Sequence, residues 1–228
     1  RGISINLGFT YFDLPSKKRV GIVDVPGHEK FIKNMLAGAC GIDIVLLVIA
    51  ADEGVMPQTI EHLDILNYLD VKKGIIVLTK CDLVDEEFIE LVKDDIREKT
   101  KRLFIEGAPI VEVDSRRGLD ELVQKIDEIS EDIEEKKTDA PSRMSIDRVF
   151  SLKGFGTIVT GTLIEGKISV DDEMTIYPSE KKVKVRNLQV HGCDVKTVYA
   201  GQRTAINLSN IKVSEIQRGD VIAQTGSV

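Results

Sequence analysis

The sequence has no apolar run long enough to cross a bilayer. Its longest, "IVLLVIAA" at 44–51, is well short of the ~20 residues a transmembrane helix needs. Its first residues, "RGISINLGF", lack the basic, apolar and small-residue succession of a secretory signal. Cysteine is scarce: Cys40, Cys81 and Cys193 stand far apart with no CxxC. That argues against a disulfide or zinc framework and for free thiols in a reducing, cytoplasmic compartment. There is no internal repeat and no low-complexity tract. Nor is there an excess of positive charge, and a net charge of −7 disfavours indiscriminate binding to nucleic acid.

What remains is an ordinary globular composition. The 228 residues are 42% hydrophobic and 30% charged, enough for one large or two medium domains. The charge is unevenly spread. Residues 1–141 carry 19 basic and 29 acidic side chains, whereas 142–228 carry 12 basic and 9 acidic. A polyanionic partner is better tolerated by the second part.

The first part alternates two periodicities. "NLGFTYFDL" (6–14) and "RVGIVDV" (19–25) predict neighbouring strands joined by a polar turn at Ser16-Lys17-Lys18. "EKFIKNMLAGA" (29–39) has helical spacing, and "IDIVLLVIA" (42–50) reads as a strand buried on both faces. A helix over 57–69 with Pro57 at its start, a strand 74–79, a helix 85–100, a strand 109–113 and a helix 118–135 follow. The alternation predicts an α/β domain with a mostly parallel sheet. Ligands of such sheets sit at the carboxyl ends of the strands, here Asp24, Thr79 and Val113.

"EEKKTDAPS" (134–142) reads as a linker, which puts the first domain at 1–138 and the second at 143–228. Beyond it come short β-branched runs punctuated by Gly, Asn and Asp, among them "GTIVTGTL", "KVKVRNLQV" and "TAINL". They predict an antiparallel β-barrel.

Four stretches carry chemistry. In "TKCD" (79–82), the Asp82 carboxylate can accept from the N1–H and exocyclic amine of guanine, while the Lys80 stem lies along the base. Alone this pattern is equally that of a solvated loop. In "DVPGH" (24–28), Asp24 can hold magnesium through water, the Gly27 amide can bond a terminal phosphate, and His28 can position an attacking water. In "RGISI" (1–5), the Ser4 hydroxyl can ligate the same ion and Ile3 can shield the water. In "VDS" (113–115), the backbone N–H of Ser115 can reach the guanine O6. His62, inside an amphipathic helix, reads as packing or surface, and His191 reads as structural.

In this order, at these strand ends, the four stretches resemble the GTPase domain of translation factors, and DVPGH resembles its translational branch in particular. The resemblance implies GTP or GDP with Mg2+. It gives Asp24 and Ser4 to the metal, Gly27 to the γ-phosphate, and His28 to the hydrolytic water. Ser4 stands where threonine is usual, with its hydroxyl kept, and Thr79 stands where asparagine is usual. Asp114 replaces a small residue beside Ser115, a departure without a sequence-level explanation. The family also holds the α- and β-phosphates in GxxxxGK[ST], whose amides form a nest. No such stretch occurs in these residues. The expectation is a fragment lacking the first strand and P-loop, with negligible GTP binding and hydrolysis of its own and a less stable first domain.

"IDRVFSLKGFGTIVTGTLIEGKI" (146–168) and "AGQRTAINLSNI" (200–211) resemble the second, barrel domain of the same proteins. In carriers of ordinary aminoacyl-tRNAs the positions of Asp147, Arg148 and Arg203 are typically acidic, acidic and amide. Two guanidiniums here would favour an anionic aminoacyl group. A selenol is ionised at neutral pH, whereas serine is not. With "GACGIDIVLLVIAADEGVMPQTIEHLDIL" (38–66), this resembles the bacterial selenocysteine-specific elongation factors. That family implies selenocysteyl-tRNA, the ribosome, and a messenger RNA stem-loop read by further domains of which nothing is seen here. Three alternatives stay open. Both arginines can be surface ion-pair residues, the cargo can be another aminoacyl-tRNA, or the chain can be a non-catalytic tRNA- or protein-binding module with a relic GTPase fold.

Overall fold

The computed structural model describes residues 7–28, 41–69, 71–133 and 136–227. The predicted helix at 29–39, the stretch holding Ile3 and Ser4, and Cys40 lie outside the described residues. The chain divides into two compact units: 1–7, 12–20 and 24–133 form one, and 8–11, 21–23 and 134–228 the other.

In the first unit, three strands form a parallel sheet in the order β3 (Ile44–Ala50), β4 (Lys73–Thr79) and β5 (Ile110–Val113). β4 shows why the sheet needs cover on both sides. Ile76 and Leu78 pack with Leu63 of helix α1 (Pro57–Tyr68) and with Ile89, Val92 and Ile96 of α2 (Glu86–Lys99). Ile75 and Val77 face the other way, onto Leu122 and Ile126 of α3 (Leu119–Glu131). Successive side chains of a strand alternate faces, so the continuous apolar run in β4 supplies both layers. Pro57 opens α1, and the Asp85 carboxylate caps α2 by accepting from the Phe88 N–H at 2.8 Å. Among the described residues β3 is an edge of this sheet, and its Val48 is 60% exposed.

β1 (Gly8–Asp13) and β2 (Arg19–Asp24) pair only with each other among the described residues. Their turn is closed by the Leu14 N–H to Lys18 carbonyl bond of 2.8 Å, and Arg19 Nε donates to Asp13 Oδ1 at 2.7 Å. Within the first unit, Phe12 and Val20 pack against the α3 side of the sheet.

The second unit contains a closed antiparallel barrel. Its sheet runs β10 (Lys181–Val190), β13 (Arg203–Ser209), β7 (Gly156–Glu165), β6 (Arg143–Leu152), β14 (Val221–Gln224) and β9 (Glu173–Tyr177), with short β11 (Cys193–Val195) on β10 and a separate pair of β8 (Lys167–Ser169) and β12 (Thr197–Tyr199). β9 then pairs with β10 and closes the ring. Closure removes free sheet edges. The interior holds Met144, Val159, Leu163, Ile176, Val185, Leu188 and Ile206. Among the described residues no helix is long and apolar enough to cross a membrane. Cys81 is a buried free thiol and Cys193 an exposed one.

Candidate functional site

The parallel register brings the ends of three strands together. Ala50 is opposite Thr79, and Thr79 is opposite Val113. The segments leaving them, "ADEG", "KCD" and "DSRRG", therefore start side by side. Lys80 adopts the left-handed region at φ 58°, so the chain turns sharply just past β4. Its ammonium meets both oxygens of Asp52 at 3.0 and 3.1 Å and Glu53 at 3.0 Å. The bonds to Glu53 and Asp52 push the Lys80 pKa up. The head group is thereby tied down over the loop that follows β3. Asp82 lies in the short helical turn Cys81–Leu83 that follows and is exposed. Thr79 Oγ1 donates to the Ile49 carbonyl at 3.3 Å, bracing β4 against β3.

The unexplained Asp114 has a local role. Its Oδ1 accepts from the backbone N–H of Arg116 at 2.7 Å and of Arg117 at 3.0 Å, and Arg117 Nε reaches Oδ2 at 2.8 Å. Those bonds, led by the Arg116 amide, hold its carboxyl below the usual range. The charge is turned inward on its own loop, and Ser115 stays exposed. Gly118 completes the loop at φ +89°, where any Cβ would collide with the Glu112 carbonyl oxygen.

The Asp24–His28 turn is anchored on α1. Asp24 ends β2 and is exposed, Pro26 is buried, and Gly27 is exposed. Val25 packs on a cluster formed by Val45, Leu66 and Val71, with Ile65 and Leu69 beside it. The point where a Gly27 side chain would begin lies 3.9 Å from His62 Cε1. His62, Ile65, Leu66 and Leu69 share one helix face by their spacing. His62 thus packs beside the turn. Among the described residues no three of His, Cys, Asp or Glu converge as a cation site. Magnesium takes few protein ligands and keeps waters and phosphate oxygens, so a lone exposed carboxylate at Asp24 fits such an ion.

On the barrel, Ile146 pairs with Gly161 and Arg148 with Thr160. Asp147 is therefore the extra residue of a β-bulge, which re-aims its side chain. Gly161 permits it: a Cβ there would strike the Ser145 carbonyl oxygen. Arg203 opposes Thr162, and Ala205 opposes Thr160, so Arg203 and Thr160 share a face. Thr160 Oγ1 donates to Asp147 Oδ1 at 2.6 Å, and Arg203 Nη2 donates to the same oxygen at 2.9 Å. The Phe9 ring lies under the guanidinium, 3.5 Å from its Cζ to the ring centroid.

Burial lowers the Arg203 pKa from its ordinary value; Asp147 opposes the shift and Arg148 adds to it. Arg203 Nε is buried and has no hydrogen-bond partner among the described residues. Asp147, Arg148 and Arg203 thus come together, but Arg203 is half-neutralised by Asp147, and the exposed Arg148 supplies the net positive charge. Phe9 was missed in the sequence. Its only signal is the Phe9/Tyr11 spacing, which puts two aromatics on one strand face. The Tyr11 ring packs at a tilt of 38° against His191, with ring centroids 4.3 Å apart.

The family described as the elongation factor Tu GTP-binding domain matches residues 1–198. The chain belongs to that family. The match runs well past the predicted linker and into the barrel. A selenocysteine-specific elongation factor of Desulfomicrobium baculatum is 50% identical over 225 residues, 98% of this chain and 36% of that protein. The one from Escherichia coli strain K12 is 39% identical over 96% of this chain and likewise 36% of its own length. The chain thus spans about a third of the curated relatives it matches. Among solved structures, a bacterial selenocysteine-specific elongation factor, EF-Sec, superposes with a TM-score of 0.91 at 37% identity over 98% of this chain and 39% of its own. The Methanococcus maripaludis translation elongation factor SelB, solved with the GTP analogue GPPNHP, gives 0.91 at 30% identity over 97% of this chain and 50% of its own. The chain is thus SelB-like, and GTPase and protein-synthesis factor are the terms that describe its family.

Proposed function

We propose that these residues belong to a GTP-dependent elongation factor that carries selenocysteyl-tRNA to the ribosome, with a GTPase domain over 1–138 and a barrel domain over 143–228. The observation that carries the nucleotide part is the Thr79–Val113 register, which starts the Lys80–Asp82 and Asp114–Ser115 segments side by side. In this reading Asp82 accepts from the guanine edge, the Lys80 stem lies on the base, Thr79 braces the loop, and the Ser115 amide meets O6. Asp24 and Ser4 hold Mg2+, which draws charge from the phosphates when bound. The Gly27 amide contacts the γ-phosphate, and His28 orients the attacking water behind Ile3.

The cargo part rests on the bulge cluster. Arg148 is an exposed cation, and the orphan Nε–H of Arg203 is a buried donor that an anionic aminoacyl group would satisfy. The GxxxxGK[ST] nest is not among these residues. The 228 residues alone therefore bind GTP weakly and hydrolyse it negligibly, and recognition of a messenger stem-loop falls to other domains.

Calorimetry with GTP, GDP and magnesium tests this on the 228 residues beside a chain extended upstream through a GxxxxGK[ST]. Binding by the extended chain alone is expected. Micromolar affinity in the shorter chain would refute the requirement for the nest. Absence of binding in both would favour a non-catalytic binding module.

A further inference from the structure

We propose that Asp114 is a positioning residue for guanine recognition: by taking the amides of Arg116 and Arg117 it leaves the Ser115 N–H as the one free backbone donor of residues 114–117, held for the base O6. This rests on the guanine reading of Asp82 and Ser115 given above. The hydrogen bonds of the four amides lead to it. The Asp114 N–H donates to the Arg117 carbonyl at 3.1 Å. The N–H groups of Arg116 and Arg117 donate to Asp114 Oδ1 at 2.7 and 3.0 Å. The Ser115 N–H between them has no partner among the described residues, and Ser115 is exposed. The segment is fixed at both ends. Val113 pairs with Thr79 of β4, and Gly118 sits at φ +89° against the Glu112 carbonyl.

The Asp114 side chain is well covered, at 7% exposure against 66% for Arg117, and Arg117 Nε occupies its second oxygen at 2.8 Å. A small apolar residue at 114 would leave three consecutive amides without partners, those of Ser115, Arg116 and Arg117, and the loop could turn any of them outward. With Asp114 it presents one. The loop also lies close to the segment that reads the other edge of the base. Burial raises the pKa of the Cys81 thiol, which stands between Lys80 and Asp82, and Glu112, Arg117 and Asp114 act on the same thiol. A donor fixed before the ligand arrives spends little free energy on ordering. It also discriminates, because a base with an amine in place of O6 would bring donor against donor.

The test is the affinity of the full-length protein for GDP and for 6-thio-GDP, in which sulfur, a weaker acceptor, replaces O6. Wild type, Asp114→Ala and Asp114→Asn are compared. The wild type should favour GDP about tenfold, the worth of one good hydrogen bond. In Asp114→Ala that preference should fall below about threefold, through weaker GDP binding with 6-thio-GDP little changed. Asp114→Asn keeps the Oδ1 acceptor for both amides and should recover most of the preference. The ratio is read within each variant, so a general loss of stability cancels. An unchanged preference in the alanine variant would overturn the proposal. So would an equal loss for both nucleotides, or an asparagine variant no better than alanine. A wild type that binds both nucleotides equally would overturn the Ser115 contact with O6, and one that binds neither would overturn the guanine reading itself.

Discussion

Arg203 Nη2 and Asp147 Oδ1 meet at 2.9 Å across the intervening strand β7, although 56 residues separate them in the chain. The bond depends on the bulge that turns Asp147 toward β13, and it leaves both side chains largely covered, at 21% and 10% exposure. Removing one partner of a covered pair strands the other. Asp147→Asn is therefore expected to destabilise the barrel by about 1–3 kcal/mol, read as a lower urea midpoint with an unchanged slope. A midpoint equal to the wild type would mean that Thr160 and Phe9 hold the guanidinium without Asp147.

The bulge itself is open to a direct test at Gly161. A single methyl there must displace the Ser145 backbone, and overpacking against backbone costs about 1–3 kcal/mol or more. Gly161→Ala should lower stability by that amount and also lengthen the Asp147–Arg203 contact. A crystal structure of the variant with an intact bulge and unchanged stability would contradict this account of the cluster.

Acid should loosen the Asp114 loop. The carboxyl is held below its ordinary value of about 3.9, first by the Arg116 amide and then by Arg117. A depressed carboxylate pKa contributes stability that is complete above the unfolded value and is lost as pH falls through the folded one. Exchange protection of the Arg116 and Arg117 amides should therefore be constant from pH 7 to about pH 4 and fall below it. Loss of protection already near pH 5, or a titration of Asp114 at its ordinary value, would count against the loop assignment.

The strand-end motifs were legible because each sits in a short local pattern: an apolar run of strand length, a Gly or Pro turn, then a polar residue. Asp114 was legible in principle too, since an aspartate two and three residues before the amides it caps is a local turn device. The Arg203–Asp147 pair was not legible as a bond. It depends on the strand register and on a one-residue bulge that period-two counting cannot see. His62 reads as packing or surface because it lies inside an amphipathic helix, and its ring packs beside Gly27, a contact between segments far apart in the chain that helical spacing does not reveal. The β1–β2 hairpin was correctly paired, but it does not join the parallel sheet among the described residues.

The most direct test of the central claim is the affinity of the GTP-bound, full-length protein for selenocysteyl-tRNA and seryl-tRNA. Each would be measured for the wild type and for a variant carrying Arg148→Met and Arg203→Met. The selenolate pocket predicts that the double variant weakens selenocysteyl-tRNA at least about tenfold more than seryl-tRNA, as loss of charge-assisted bonds requires. Equal loss for both tRNAs would contradict it and return the two arginines to surface ion pairing.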